Sequence, residues 1–262
     1  MSPFGPLEKL RARPIPDQAE ARLRRIEFRN KIPIDKSAVE FAEPLIEVGG
    51  LGIAGENYYA AEHNPPYWRR IDGATRQLLL RHRVAHKLVN VNKILYSVGL
   101  ELFVFDAWRP RAVQAYFHDV WMPSELKRRS PALAGEALDA EVERYWAAPT
   151  CDPDRPAPHA TGAAVDLTLR FIGGEKLWMG SLFDDVSELS HRDRFEEGCA
   201  GLSFSDEEAR ANRRLLHWIM EEHGLAGHPD EWWHYSYGDQ LWAALASAPA
   251  ALYGLAQVPI SK

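Results

Sequence analysis

The sequence predicts a single α+β domain in which helices flank a small, mostly antiparallel sheet. Three observations favour this class. Short segments with strand-type alternation are separated by long stretches of helical periodicity. Apolar residues make up 46% and charged residues 26% of the 262 residues, which is typical of a globular chain with a sizeable core. No internal repeat is visible, and no segment contains the roughly 18 consecutive apolar residues needed to span a membrane.

The first 43 residues differ in composition from the rest of the chain. They are rich in proline, arginine and glutamate, and we predict an extended arm with one short helix around residues 18–29. Residues 44–262 are predicted to form the main folded domain, with an insertion at about 123–156. The start of the chain is basic but lacks the apolar stretch of a secretory signal. We therefore expect a cytoplasmic rather than a periplasmic protein.

Charge and cysteine content argue against several classes of protein. The net charge is −6, whereas binding to a phosphate backbone needs a basic face. We therefore expect no nucleic-acid partner, and no membrane partner either. The two cysteines, Cys151 and Cys199, are too few for a disulfide scaffold or a four-cysteine zinc site. We interpret them as ordinary thiols, with one disulfide between them as the alternative.

The elements follow from hydrophobic periodicity and from capping signals. In chain order they are a strand at 44–48, a helix at 74–98, a strand at 100–106, a helix from Pro110, a helix at 134–146, a strand at 163–171, a helix from Ser205 and a strand at 231–237. In the first helix, apolar residues recur every three or four positions, and Gly99 follows where a C-cap belongs. Ser205 and Glu208 have the spacing of a capping box.

The first candidate for chemistry is the segment between the strand at 100–106 and the helix from Pro110. Asp106 ends the strand, and Arg109 follows it just before the helix begins. A guanidinium fixed at that position could stabilise an oxyanion or bind a substrate carboxylate. The alternative is a structural ion pair between Arg109 and Asp106.

The second candidate pairs a loop histidine, His159, with a strand aspartate, Asp166. Gly162 lies between them and permits the sharp bend that would bring them together. Imidazole and carboxylate are both zinc ligands, and a catalytic zinc usually has three protein ligands and one open position. The alternative is a solvated carboxylate on a strand, because Asp166 alternates with the apolar residues around it.

The third candidate is the segment that contains Glu231 and His234. His234 can supply a third zinc ligand, and a glutamate beside the metal can take a proton from an activated water. Residues i and i+3 of a regular strand face opposite sides, so this arrangement requires a bulge or a strong twist. The alternative is a core strand rich in tryptophan with a partly buried histidine.

A further histidine pair, His82 and His86, has the i, i+4 spacing of a helical zinc site. Arg83 stands where such a helix in a zinc protease carries its glutamate, and a cation beside Zn²⁺ is unfavourable. The pair also lies away from the apolar stripe of its helix. We therefore interpret it as solvated surface.

Together the three candidate segments are much more specific than each alone. The order Asp-x-x-Arg-Pro, His-x6-Asp and Glu-x-x-His resembles that of the zinc D-alanyl-D-alanine dipeptidases (VanX-type), a branch of the D,D-carboxypeptidases. The likeness continues in short segments that begin at Met179, Phe183, Ser190 and Asn212. It covers about residues 50–240, except for much of 123–156, and leaves out the N-terminal arm and the tail.

The resemblance implies a zinc metallopeptidase with a D,D-peptidase or hedgehog-like fold and one Zn²⁺ per chain. The implied site residues are His159, Asp166 and His234 as zinc ligands, Glu231 as general base and then general acid, Arg109 as the group that stabilises the transition state, and Asp184 as partner of the substrate's ammonium group. The implied reaction is hydrolysis of D-Ala-D-Ala or a related small dipeptide by a zinc-bound water that Glu231 activates. The implied partner is therefore a small peptide derived from cell-wall peptidoglycan.

Two departures from the family pattern bear on the substrate. Ala157 stands where the family usually has a serine, and Gly52 stands where it tends to have a tyrosine. Each lost hydrogen-bonding group is expected to weaken dipeptide recognition by about 1–3 kcal/mol. Two other functions therefore stay open: a D,D- or L,D-carboxypeptidase or endopeptidase that acts on longer cell-wall peptides, and a zinc-binding domain without catalysis.

Overall fold

The computed structural model describes residues 4–196 and 201–257 of the chain, so Cys199 lies outside the described residues. Helices in these ranges are α1 (Glu8–Ala12), α2 (Ala19–Arg25), α3 (Phe28–Lys31), α4 (His82–Leu95), α5 (Arg111–Tyr116), α6 (Met122–Arg129), α7 (Gly135–Tyr145), α8 (Phe204–Glu221) and α9 (Gln240–Leu245). Strands in these ranges are β1 (Leu45–Glu47), β2 (Ala54–Gly55), β3 (Leu79–Arg81), β4 (Leu100–Asp106), β5 (Ala164–Phe171), β6 (Ala226–Gly227) and β7 (His234–Ser236). No helix among these residues is both long and apolar enough to cross a membrane.

The main sheet has the strand order β2-β4-β5-β7-β6. Only the β2–β4 pair is parallel in this sheet, and β1 and β3 form a separate antiparallel pair. This arrangement confirms the predicted α+β class with a mostly antiparallel sheet. The register places Asp106 opposite Asp166, and Asp166 opposite His234. Three side chains that can bind a metal or transfer a proton therefore lie side by side on adjacent strands.

The two central strands are buried on both faces. Every residue of β4 except Phe103 is buried, and β5 is buried from Ala164 to Leu169. Helix α4 covers one face through its apolar stripe. A 3-10 turn, Tyr96–Val98, continues it to Gly99, which has a φ of +73° as the C-cap prediction requires. Because β5 is buried from Ala164 to Leu169, Asp166 is a buried carboxylate and not a solvated one.

The predicted starts of two helices, α4 and α8, are wrong. Residues 79–81 form strand β3, and the helix begins only at His82. Arg81 explains the difference, because its guanidinium donates to the carbonyls of Thr161 and Gly254. Helix α8 begins at Phe204 instead of Ser205. Its capping box is formed by a different serine and acidic residue from the predicted pair. The side chain of Ser203 accepts from the backbone N–H of Asp206, and the Asp206 carboxylate accepts from that of Ser203.

The N-terminal segment is more helical than predicted. Helix α1 packs against α8, and helices α2 and α3 pack against α9. Arg11 donates to Asn212 and Glu208 on α8, which anchors α1. Arg22 and Arg25 on α2 both pair with Asp230, in the loop before β7. The segment therefore lies against the same loop that contains Glu231.

A long helical stretch leads into the predicted insertion. Helix α5 continues through a π-helical turn at Phe117–Trp121 into α6, and α7 follows, as predicted for residues 134–146. Trp146, directly after α7, stacks on Phe117 with the ring centroids 4.3 Å apart. This packing places the end of α7 over the site described below.

Candidate metal centre

The candidate centre lies where β4, β5 and β7 meet a short 3-10 helix, Pro158–Thr161, that contains His159. Gly162 ends this turn with a φ of +69°. A Cβ on Gly162 would lie 2.2 Å from Leu45 Cδ2, so both the backbone conformation and the space require glycine. The bend aims His159 toward the strand residues Asp166 and His234, as the sequence predicts.

Three residues with potential ligand atoms converge in this centre. His159 Nε2 lies 3.1 Å from His234 Nδ1 and 3.3 Å from Asp166 Oδ2, and His234 Nδ1 lies 3.0 Å from Asp166 Oδ1. All three residues are buried. The sequence named these residues as a set, and the structure brings all three together.

The chemistry and spacing of this donor set fit zinc. Ligands at about 2.0–2.1 Å from a tetrahedral ion lie about 3.3 Å from one another, close to the separations found here. His159 Nδ1 lies 2.7 Å from the carbonyl oxygen of Ala107. A carbonyl only accepts, so Nδ1 carries the proton and the neutral ring presents the lone pair of Nε2 to the centre.

The electrostatics of the centre favour an ionised Asp166. Burial opposes ionisation of this carboxyl, but the adjacent imidazoles of His159 and His234 outweigh burial and lower its pKa. Burial also lowers the pKa of His234, which favours the neutral imidazole. An anionic carboxylate and neutral imidazoles are the protonation states that metal ligands need.

Glu231 lies beside the centre without belonging to the ligand set. Its Oε2 is 3.7 Å from His234 Nδ1. Glu231 precedes β7 and lies in a turn, so the bulge that we expected within the strand is not needed. Burial, together with the carboxylates of Asp166 and Asp184, raises its pKa well above the usual value. A cation in the centre would oppose this effect, because positive charge favours the ionised carboxylate.

Arg109 is buried and fixed by several hydrogen bonds. Its Nε donates to Asp106 Oδ2 (2.8 Å), and its Nη2 donates to Asp166 Oδ2 (3.1 Å) and to the hydroxyl of Tyr59 (3.3 Å). Trp146 covers the guanidinium, with its ring centroid 4.5 Å away. The structure therefore contains the ion pair with Asp106 and also places Arg109 at the centre itself.

Asp184 lies in the wall of the same pocket as the candidate ligands. Its Oδ2 accepts hydrogen bonds from the hydroxyls of Tyr59 (3.0 Å) and Tyr67 (2.9 Å). Burial, and next the charge of Asp166, raises its pKa to about 7. The sequence predicted Asp184 but neither tyrosine.

Two cations of the pocket wall were also not predicted. Arg25 on α2 and Arg144 on α7 line the pocket together with Glu231 and His234. Both lie in segments outside the resemblance, so the motifs contain no signal for them. By contrast, His82 and His86 are exposed on α4, as the interpretation of that pair as surface requires.

A mixed α+β domain with two imidazoles and one carboxylate around a single point, and a glutamate at its edge, is typical of mononuclear metallohydrolases. The family model described as D-Ala-D-Ala dipeptidase (peptidase M15) matches residues 46–250. The chain therefore belongs to the D-Ala-D-Ala dipeptidase family of metallopeptidases, which confirms the resemblance found from the motifs.

Curated relatives agree with this family. A D-alanyl-D-alanine dipeptidase from Synechocystis sp. is 38% identical over 55% of this chain and 62% of its own length. One from Enterococcus faecium is 30% identical over 65% of this chain and 79% of its own length. The chain thus spans about three fifths of the length of the Synechocystis relative.

Solved structures show only a distant likeness. VanYB in complex with D-Alanine-D-Alanine is 16% identical, with a TM-score of 0.39 over 68% of this chain and 82% of that one. The LdcB LD-carboxypeptidase is 14% identical, with a TM-score of 0.38 over 69% of this chain and 70% of that one. Likeness at this level does not bear on the function of this chain.

Proposed function

We propose that this protein is a zinc-dependent dipeptidase that hydrolyses D-Ala-D-Ala or a similarly small dipeptide. One observation carries the proposal: His159 Nε2 and His234 Nδ1 lie 3.1 Å apart, and each lies 3.0–3.3 Å from one oxygen of Asp166, beside the buried carboxylate of Glu231. Membership of the dipeptidase family supports the choice of substrate.

In this proposal His159, Asp166 and His234 hold one Zn²⁺ per chain. When bound, zinc acts as a Lewis acid that activates water and polarises a carbonyl group. The hydrogen bond from His159 Nδ1 to the Ala107 carbonyl fixes the orientation of that ring and its tautomer. Arg109 holds Asp166 from the other side through its Nη2.

Glu231 is the proposed general base and then general acid. Its carboxylate accepts a proton from the attacking water and returns a proton to the leaving amine. Arg109 is proposed to stabilise the negative charge that develops on the carbonyl oxygen, because its guanidinium is held rigidly by Asp106 and Asp166. A donor that is already oriented needs no reorganisation during the reaction.

Asp184 is proposed to bind the free ammonium group of the substrate. A buried carboxylate that accepts from two tyrosine hydroxyls, Tyr59 and Tyr67, is positioned for one more charge-assisted hydrogen bond. An anchor for the amino terminus restricts cleavage to the first peptide bond. This restriction favours dipeptides over longer cell-wall peptides.

A panel of substrates on zinc-loaded protein tests the proposal. The panel contains D-Ala-D-Ala, its N-acetyl derivative, L-Ala-D-Ala, D-Ala-L-Ala and a cell-wall pentapeptide. Rapid cleavage of free dipeptides, with loss of cleavage on N-acetylation, supports the dipeptidase. Preference for the pentapeptide contradicts it in favour of a carboxypeptidase, and stoichiometric zinc without any hydrolysis contradicts it in favour of a binding domain.

The variant Glu231→Gln tests the role of the carboxylate. We expect turnover to fall by at least about 100-fold, the lower end of general acid–base contributions, while zinc content measured by metal analysis stays at one per chain. The matched control is Glu62→Gln, the same change at an exposed position, which should keep full activity. A Glu231→Gln variant with wild-type turnover contradicts the assigned role.

A further inference from the structure

We propose that Arg25 and Arg144 form the subsite that binds the C-terminal carboxylate of the substrate. The inference rests on the proposed dipeptidase function and assigns the part of the substrate that Asp184 does not bind. Both guanidinium groups belong to side chains that line the pocket containing Glu231 and His234. Arg25 is on α2, outside residues 46–250, so part of this wall of the pocket comes from beyond the family match.

Both arginines are held in place by the same buried carboxylate. Arg25 Nη2 donates to Asp230 Oδ2 (3.1 Å), and Arg144 Nη2 lies 3.4 Å from Asp230 Oδ1. Arg25 Nη1 also donates to the backbone carbonyl of Arg144 (3.1 Å), which ties α2 to the end of α7. Asp230 is fully buried and directly precedes Glu231. The two cations are therefore fixed relative to the proposed general base.

Arg25 and Arg144 bring two guanidinium groups to this wall of the pocket. Asp230 also pairs with Arg22, but Arg22 has its own partner in Asp193, to which both of its terminal nitrogens donate. The buried carboxylate of Asp230 is thus shared by Arg22, Arg25 and Arg144. His191 Nε2 lies 2.9 Å from Arg144 Nη2 and does not add charge, because burial lowers the pKa of this imidazole. Glu141 Oε1 lies 3.5 Å from Arg144 Nη1, and Glu143 also lines the pocket.

The opposite charge lies elsewhere in the same pocket. Asp184 is the proposed partner of the ammonium group, and the two arginines are available for the carboxylate. A free dipeptide is a zwitterion with one charge at each end, so a pocket with both signs of charge complements it. Guanidinium groups suit this task because their planar fork of donors matches a carboxylate. Arg25 remains 16% exposed in its side chain and Arg144 remains 29% exposed, so neither is sealed from the pocket.

Binding of D-Ala-D-Ala and its C-terminal amide, measured by calorimetry on zinc-loaded Glu231→Gln protein, tests the subsite. That background removes turnover, so binding is measured independently of hydrolysis. We expect the free acid to bind about tenfold or more tighter than the amide, the size of one charge-assisted hydrogen bond. Adding Arg25→Gln or Arg144→Gln should reduce this ratio to near one. Adding Arg25→Lys should retain part of it.

The matched control is Arg22→Gln in the same background. Arg22 lies on the same helix as Arg25 and also donates to the carboxylate of Asp230. It does not belong to the pocket wall described above. It should leave the ratio of acid to amide affinity unchanged. The subsite is overturned if the parent protein binds acid and amide equally, if it binds neither, or if Arg22→Gln removes the preference as fully as Arg25→Gln. Failure of the wild-type protein to hydrolyse any dipeptide, with the preference intact, contradicts only the proposed function.

Discussion

Replacement of Asp184 by asparagine should stabilise the protein in a pH-dependent way. The side chain accepts from Tyr59 and Tyr67 through one oxygen, Oδ2, and an asparagine carbonyl can accept both hydrogen bonds. The backbone at this position has a φ of +59°, a conformation that asparagine tolerates well. Asp184→Asn therefore removes the buried charge and preserves the surrounding contacts.

The size of the effect follows from the pKa of this carboxyl. It is about 7 in the folded protein and about 3.9 in an unfolded chain. Because the folded pKa is raised, the wild type is most stable below about pH 4 and loses stability as the pH rises to about 7. At about 1.4 kcal/mol per pKa unit, the loss reaches about 4 kcal/mol. Asp184→Asn lacks this loss.

Urea denaturation of wild type and variant at pH 5 and pH 8, with a chelator present, measures the difference. We expect Asp184→Asn to gain about 3 kcal/mol relative to wild type between these two pH values. The control is Asp185→Asn, which changes a partly exposed neighbouring carboxyl and should not reproduce the gain. A difference that is the same at both pH values, or a variant less stable than wild type at pH 8, refutes the reasoning.

Three further predictions concern the supports of the site. Gly162→Ala should cost about 3 kcal/mol in denaturation experiments, because its Cβ would overlap Leu45, whereas Gly173→Ala, with a similar φ of +63° and open space, should cost about 1 kcal/mol. Asp230→Asn should cost about 3–5 kcal/mol at pH 7; His228 and the arginine partners lower this carboxyl's pKa against the effect of burial, so the difference should shrink as pH falls below about 4. Zinc at a thousandfold excess over its Kd should add about 4 kcal/mol to the stability of wild type, but much less to Asp166→Asn, as thermal melts with and without chelator will show.

Local patterns in the sequence were sufficient for the elements whose burial has a simple period. Strand β4, helix α7 and most of α4 lie where alternation or helical periodicity predicts them. Patterns failed where a tertiary partner decided the conformation. Residues 79–81 continue a helical pattern, but pairing with β1 and the buried hydrogen bonds of Arg81 make them a strand. The cap of α8 differs because two Ser-x-x-acid sequences overlap there, and the choice depends on packing.

The candidate ligands were predictable because the family motif specifies residue types and spacing together. His159, Asp166, His234 and Glu231 were named from the sequence. The strand register places Asp166 opposite His234, and the turn that ends at Gly162 brings His159 to them. The turn position of Glu231 was not predicted, because the strand was expected to begin three residues earlier than it does.

What the sequence determined by itself is the chemistry of the centre: two imidazoles, two carboxylates and a glycine that permits the bend between them. What only the tertiary structure decided is which distant side chains surround that centre. Tyr67 reaches Asp184 across 117 positions, and Arg25 reaches Asp230 across 205. The physical reason is that periodicity reports whether a residue is buried in its own element, whereas a contact between elements depends on how their faces pack together.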